Sequence, residues 1–281
     1  MIELELANGV KIPQIGMGTW QINDKDTLQE LIKTANELGY SLLDTAAAYS
    51  NEISIGKAWT QLGIKREDLF LSDKVWNSNR GFEAVQSACR KSLKKLKTDY
   101  LDLYLIHWPA SPKLYDDWKI LNAGTWRGME QLYQEGLVRA IGVCNFKSHH
   151  LDALSKTAQV MPMVNQVEFH PGMPQQELIY YCRERGICVE ASSPLGSGAV
   201  LVNAQLKELA KVKDKTVAQI CLRYGVEKGL VVLPKTTNPI RLQENLAVYD
   251  WELSDEEMRM IDDIPYCGGI GIDPDEVTEF G

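Results

Sequence analysis

Short apolar runs alternate along this chain with longer stretches whose apolar residues recur at helical spacing, the pattern of buried strands separated by amphipathic helices. Leu4 to Ile15 reads as a hairpin turning at Asn8-Gly9. The first strand is Ile15-Gly16-Met17-Gly18, and the first helix runs from Asp26 to Leu38, with Leu28, Leu31, Ile32, Ala35 and Leu38 on one face and Gly39 closing it. Tyr40–Asp44 is the second strand, and a helix follows from Ile55 to Leu62. Later strands are expected at Leu69–Val75, Leu101–Ile106, Val138–Val143, Met163–Val167, Ile187–Ala191 and Leu230–Leu233. The helix after Val75 is expected to be capped by Ser78 or Asn79. Others end at Gly136 or span Ser148–Thr157, Pro174–Arg185 (proline in its first turn), Asn203–Lys213 and Thr216–Lys228. Asn238-Pro239 opens a further helix, and Ser254 with Glu257 forms the capping box of another.

Eight strands alternating with helices, with no linker rich in Pro, Gly or Ser, specify an α/β chain. The expected architecture is a (β/α)8 TIM barrel with an N-terminal β-hairpin and two extra helices, one domain over residues 1–281. An open doubly wound sheet competes, but Gly16-Met17-Gly18-Thr19-Trp20-Gln21 lacks the third glycine of a dinucleotide fingerprint. A net charge of -8 argues against nucleic acid as a partner while leaving room for a small basic pocket around one phosphate. The six cysteines form no Cys-x-x-Cys pair and read as reduced thiols. Met1-Ile2-Glu3-Leu4-Glu5 is no signal peptide, and no apolar run approaches the roughly 20 residues of a membrane span. A cytoplasmic protein, with no membrane partner and monomeric or weakly dimeric, is the expectation.

The polar residues at the strand ends carry the chemistry. In barrels the catalytic edge is the carboxyl end of the strands. There the sequence places Asp44 with Tyr49 in the following loop, Asp73-Lys74, His107-Trp108-Pro109, Cys144-Asn145, and Asn165-Gln166 with Glu168. Singly, each has an ordinary structural explanation: a helix cap, a surface ion pair, a core histidine. Four such groups on adjacent strands read as a site. Lys74, held charged by Asp44, is expected to lower the pKa of the Tyr49 phenol. Tyr49 then protonates a carbonyl oxygen while the carbon receives a hydride, and His107 orients that oxygen. No side chain donates hydride, so a nicotinamide or flavin is required. A metal-dependent hydrolase would want a His-x-His pair at a strand end, and none exists. No metal is expected, and His149, His150 and His170 are read as two surface residues and one structural one.

Several ordered motifs resemble the aldo-keto reductases: Asp44-Thr45-Ala46 with Tyr49 and Asn51-Glu52, Lys74, Leu105-Ile106-His107-Trp108-Pro109, Ile141-Gly142-Val143-Cys144-Asn145-Phe146, and Asn165-Gln166-Val167-Glu168-Phe169-His170-Pro171. The match covers nearly the whole chain and is similar to bacterial reductases of diketo-gluconate and methylglyoxal. It implies a catalytic tetrad of Asp44, Tyr49, Lys74 and His107, with Tyr49 as general acid and a small carbonyl as substrate. It further implies NADPH as cofactor. Asn145 and Gln166 would hold the nicotinamide carboxamide, and Ser193, Leu195 and Ser197 the pyrophosphate. Lys235, Thr236 and Arg241 would hold the 2′-phosphate, and Glu244 and Asn245 the adenine. Some relatives instead bind nucleotide with little turnover, as regulatory or structural proteins.

Three positions depart from the family pattern. Cys144 replaces a serine. Asp73 precedes the lysine and is expected to be its second negative neighbour. Ser192 replaces the aromatic that stacks on the nicotinamide, implying weaker NADPH binding. Trp20, Trp76 and Trp108 are the expected substrate walls, with Trp59, Trp126 and Trp251 in the core. The short segment from Cys267 to Gly281 implies an open pocket and broad specificity.

Overall fold

The structure, a computed structural model, describes residues 2–276. Strands β1 (Glu3–Glu5) and β2 (Lys11–Pro13) form the hairpin, and Gly9 supplies the positive φ of 84° its turn requires. Asn8 fastens the hairpin to the base of the molecule, its Nδ2 donating to the Arg139 carbonyl at 2.9 Å.

Eight parallel strands follow: β3 (Gly16–Gly18), β4 (Leu42–Asp44), β5 (Phe70–Val75), β6 (Leu103–Ile106), β7 (Ile141–Cys144), β8 (Val164–Glu168), β9 (Cys188–Ser192) and β10 (Val231–Val232). A parallel bridge between Ile15 and Val232 joins last to first, and Val232 N–H donates to the Gln14 carbonyl at 2.8 Å. Closure excludes the doubly wound alternative, since every barrel strand then has two neighbours.

Ten α-helices surround the barrel among the described residues: α1 (Lys25–Glu37), α2 (Glu52–Gln61), α3 (Phe82–Leu96), α4 (Trp118–Gln134), α5 (Ser148–Ser155), α6 (Gln176–Arg183), α7 (Ala204–Lys213), α8 (Val217–Glu227), α9 (Pro239–Leu246) and α10 (Asp255–Asp262). None is long and apolar enough to cross a membrane. The apolar stripe of α1 is buried as its spacing requires, except that Leu38 is only partly covered.

Several helix starts differ from expectation: α2 begins at Glu52 rather than Ile55 and α4 already at Trp118, while long-range contacts explain two others. Ser78 and Asn79 lie in a one-turn 3₁₀ helix; α3 begins beyond them after Gly81, whose N–H is taken by Thr125 Oγ1 of α4 at 2.8 Å. Pro174 precedes α6 rather than sitting in its first turn. Gln175 caps the helix at φ 47°, and its side chain donates to the Glu168 carbonyl at 3.2 Å.

All six residues of β5 are buried, because helices cover one face and the barrel lumen the other. Its two ionisable residues therefore part company. Lys74 enters the lumen, whereas Asp73 turns outward towards α2 and α3, where Glu52 and Ser92 are its neighbours. Asp73 is thus no second counter-ion in the lumen.

Candidate active site

The register of β4 and β5 sets Asp44 opposite Ser72, so Lys74, two residues on and on the same face, reaches it at the carboxyl end of the barrel. Lys74 Nζ donates to Asp44 Oδ1 and Oδ2 at 2.8 and 2.7 Å and to the Thr45 carbonyl at 2.9 Å. A fully buried ammonium with three acceptors is well satisfied. Burial alone pulls Lys74 down, but Asp44, Tyr49 and Cys144 together hold it above its ordinary value.

Tyr49 reaches this ammonium from a short 3₁₀ turn, Ala47–Tyr49, after β4. Asn51 secures the loop: its Oδ1 accepts from Thr45 Oγ1 at 2.7 Å and its Nδ2 donates to the Thr19 carbonyl at 2.9 Å. The Tyr49 hydroxyl lies 3.5 Å from Lys74 Nζ, the outer limit of a hydrogen bond. Burial dominates its proton affinity and pushes it up to about 12, with Lys74 the strongest opposing influence and Asp44 partly cancelling it. Lys74 thus lowers the phenol as expected, but burial outweighs it. In this state Tyr49 is a fully protonated phenol.

His107 ends the next strand and packs edge-on against Tyr49 and Trp76. Burial first, then Lys74, hold it well below its ordinary value, so the imidazole is neutral. Its Nδ1 has no hydrogen-bond partner. All four residues expected as a tetrad thus converge.

Asn145 and Gln166 flank this group. Asn145, at φ 62°, donates from Nδ2 to the His107 carbonyl at 3.0 Å. Gln166 donates both amide hydrogens to carboxyls, Asp44 Oδ1 at 3.1 Å and Glu190 Oε2 at 2.8 Å. Its Oε1 is met only by Cys144 Sγ at 3.8 Å, so the amide has an acceptor to offer. Glu190 went unnoticed in the sequence because it interrupts an apolar strand. Its register opposite Gln166 was the available signal: a fully buried carboxyl on the lumen face. Burial, then Asp44, push it up to about 8.

Two cavities adjoin here. One, about 300 Å³, is lined by Trp20, Trp76, Trp108, His107, Phe146 and Met173 among others, placing all three expected tryptophans together. Ile270, Ile272 and Pro274 also line it, so the segment after α10 walls the pocket instead of leaving it open; residues 277–281 lie outside the described residues. The second, about 320 Å³, shares Trp20, Ser192 and Ser193 with the first and continues past Leu195 and Ser197 to Lys235 and Arg241. Ser193, Gly196, Ser197 and Gly198 all take positive φ, bending the loop after β9 around this groove. Two cations at one end and backbone and hydroxyl donors along it fit an elongated, phosphate-bearing ligand.

Thr236, Glu244 and Asn245 do not line that groove. Thr236 lies in the turn before α9, accepting the Asn238 N–H at 3.0 Å, while Glu244 is exposed and Asn245 buried on α9.

Of the other histidines only His150 differs from expectation. His149 is exposed, but His150 is buried, its Nδ1 accepting the Lys147 N–H at 3.1 Å. His149, His150 and Asp275 bring three ligand-type atoms within 4.8 Å of one another. With Nδ1 an acceptor, the ring hydrogen of His150 sits on Nε2, which lies 3.2 Å from Asp275 outside hydrogen-bond geometry and has no lone pair there for a cation. His170 is buried between the Pro171 carbonyl and Glu168.

The profile of the Aldo/keto reductase family matches residues 14–265. The chain belongs to that family. Among aldo/keto reductases it is 44% identical over 274 residues to the glyoxal reductase of Bacillus subtilis (strain 168), covering 98% of this chain and 96% of that one. It is 41% identical to the methylglyoxal reductase DkgA of Salmonella typhimurium, covering 97% of each chain. A solved Gox0644 mutant in complex with NADPH superposes with a TM-score of 0.91 at 34% identity, covering 99% of both chains. Cys144 and Ser192 both line the pocket of this aldo/keto reductase.

Proposed function

We propose that this aldo/keto reductase is an NADPH-dependent reductase of aldehydes and ketones, with Tyr49 as the proton donor. The supporting observation is the buried Asp44–Lys74 pair with the half-buried Tyr49 hydroxyl beside it, where an apolar pocket meets a groove with two cations. Lys235 and Arg241 would hold the 2′-phosphate, the loop from Ser193 to Ser197 the pyrophosphate, and Asn145 and Gln166 the carboxamide. What the cofactor supplies when bound is a hydride for the carbonyl carbon. The residues of the chain do the rest.

Tyr49 donates its hydroxyl proton to the carbonyl oxygen. Neutral His107, its basicity depressed by burial and by Lys74, orients that oxygen beside the phenol and is a poor competitor for its proton. As the proton leaves, negative charge grows on the Tyr49 oxygen next to the Lys74 ammonium, in surroundings that water does not screen. Lys74 therefore stabilises the transition state more than the resting state, where burial still dominates the phenol. Asp44 keeps Lys74 charged and in place.

Neutral carbonyls suit the pocket better than a carboxylated sugar such as diketo-gluconate. Lys147 is the one lysine or arginine in its lining among the described residues, and Asp273 and Asp275 hold it at 2.5 and 2.9 Å. Loss of NADPH absorbance on adding methylglyoxal or 4-nitrobenzaldehyde tests the reading. Steady loss is expected; unchanged absorbance with a panel of carbonyls contradicts it and favours a nucleotide-binding relative with little turnover.

A further inference from the structure

Glu168 ends β8, just outside the catalytic group, and takes no part in the chemistry above. Its side chain is buried, yet it faces neither lysine nor arginine in an ion pair. Instead the carboxylate accepts the backbone N–H groups of Ile270 and Gly271 at 2.6 and 2.8 Å and faces His170 Nε2 at 3.2 Å. Burial pushes the carboxyl up, but these three hydrogen bonds outweigh it and hold the carboxyl below its ordinary range. The approach is close enough to forbid a side chain at residue 269: a Cβ there would lie 2.4 Å from Glu168 Oε1 and 2.6 Å from His170 Nε2. Gly268 and Gly269, at φ 109° and 152°, supply the backbone freedom that contact requires.

The same segment is fastened again a few residues on. Asp275 pairs with Lys147, His149 and His150 at 2.9, 3.0 and 3.2 Å, and its carbonyl accepts from Ser111 Oγ at 3.3 Å. Between the two anchors lie Ile270, Ile272 and Pro274, which form the pocket wall.

We propose that Glu168 is a positioning residue for substrate selectivity: it holds residues 268–274 as an apolar wall that grips carbonyl compounds carrying an uncharged aromatic or branched body. The proposal rests on the carbonyl reductase reading. Small dicarbonyls such as methylglyoxal carry no such body and do not depend on the wall.

The test compares KM and kcat for 4-nitrobenzaldehyde and methylglyoxal in wild type, Glu168→Ala and Asp275→Asn, with the NADPH dissociation constant measured by tryptophan fluorescence. Releasing the wall is expected to raise KM for 4-nitrobenzaldehyde about tenfold in Glu168→Ala, the loss of one side of an apolar contact. Methylglyoxal KM, kcat for both carbonyls and NADPH binding should stay within about twofold. Asp275→Asn loosens the same wall from its other end without touching the barrel, and should shift KM with the same selectivity if Glu168→Ala fails to fold. Equal KM changes for both substrates, or none for either, overturn the proposal while leaving carbonyl reduction intact. A wild type that oxidises NADPH with neither carbonyl sinks the underlying reading and the proposal with it.

Discussion

Replacing Asp44 with alanine strands a buried ammonium. Lys74 is fully buried, and Asp44 supplies two of its close contacts, at 2.8 and 2.7 Å; the Thr45 carbonyl and a distant Tyr49 hydroxyl would remain. Removing one partner of a buried pair costs about 3–5 kcal/mol. That is a large part of the roughly 5–15 kcal/mol by which a domain is stable. At about 2–4 °C per kcal/mol for a chain of this size class, Asp44→Ala should melt on the order of 10 °C below wild type. Lys74→Met leaves the Asp44 carboxylate with only the Gln166 amide at 3.1 Å and should lose a similar amount. The double variant removes both charges and should regain stability to within about 1 kcal/mol of wild type, because neither desolvation cost survives. It should nevertheless be inactive, which separates folding from chemistry. Urea titrations of the four proteins, with NADPH turnover beside them, make the measurement. A double variant no more stable than the worse single one would show that the pair is not what holds this part of the lumen together.

Asp73, in the helix-facing layer, is pushed up to about 7, first by burial and then by Glu52. A carboxyl raised on folding contributes stability at low pH that is lost as pH climbs to its folded value. The stability advantage of Asp73→Asn over wild type, read from urea titrations, should therefore widen from pH 5 to pH 7 by on the order of 2 kcal/mol and level off above; a difference independent of pH refutes the assignment. Ser192→Tyr should tighten NADPH binding by about 0.5–1.5 kcal/mol through ring stacking, and an unchanged dissociation constant rejects that role for the position. Lys235→Met with Arg241→Leu should weaken NADPH binding at least about tenfold and NADH binding little; equal losses would place those cations away from the extra phosphate.

Much of this was legible in the sequence because strand ends are easy to find in a barrel. Asp44 and His107 each close an apolar run and Lys74 stands one residue from the end of its strand, and the closed parallel sheet brings such positions to one rim. Side-chain parity was harder to use. Asp73 and Lys74 are adjacent in sequence, yet the two-residue repeat of a strand sends them to opposite faces. Glu190 was hidden by the same rule, being one polar residue on the lumen side of an apolar run. The proton affinity of Tyr49 could not be read from neighbours alone, since its largest determinant is burial, which only the packed loop reveals. The starts of α3 and α6 were misplaced because Thr125 and Glu168, distant in sequence, fix them.

The most direct test is Tyr49→Phe, which removes one oxygen from the site and leaves the ring packed against His107. NADPH should bind as to wild type while kcat for 4-nitrobenzaldehyde falls by about 10²–10⁴. Wild-type turnover by a phenylalanine enzyme that binds NADPH normally would mean that another group delivers the proton.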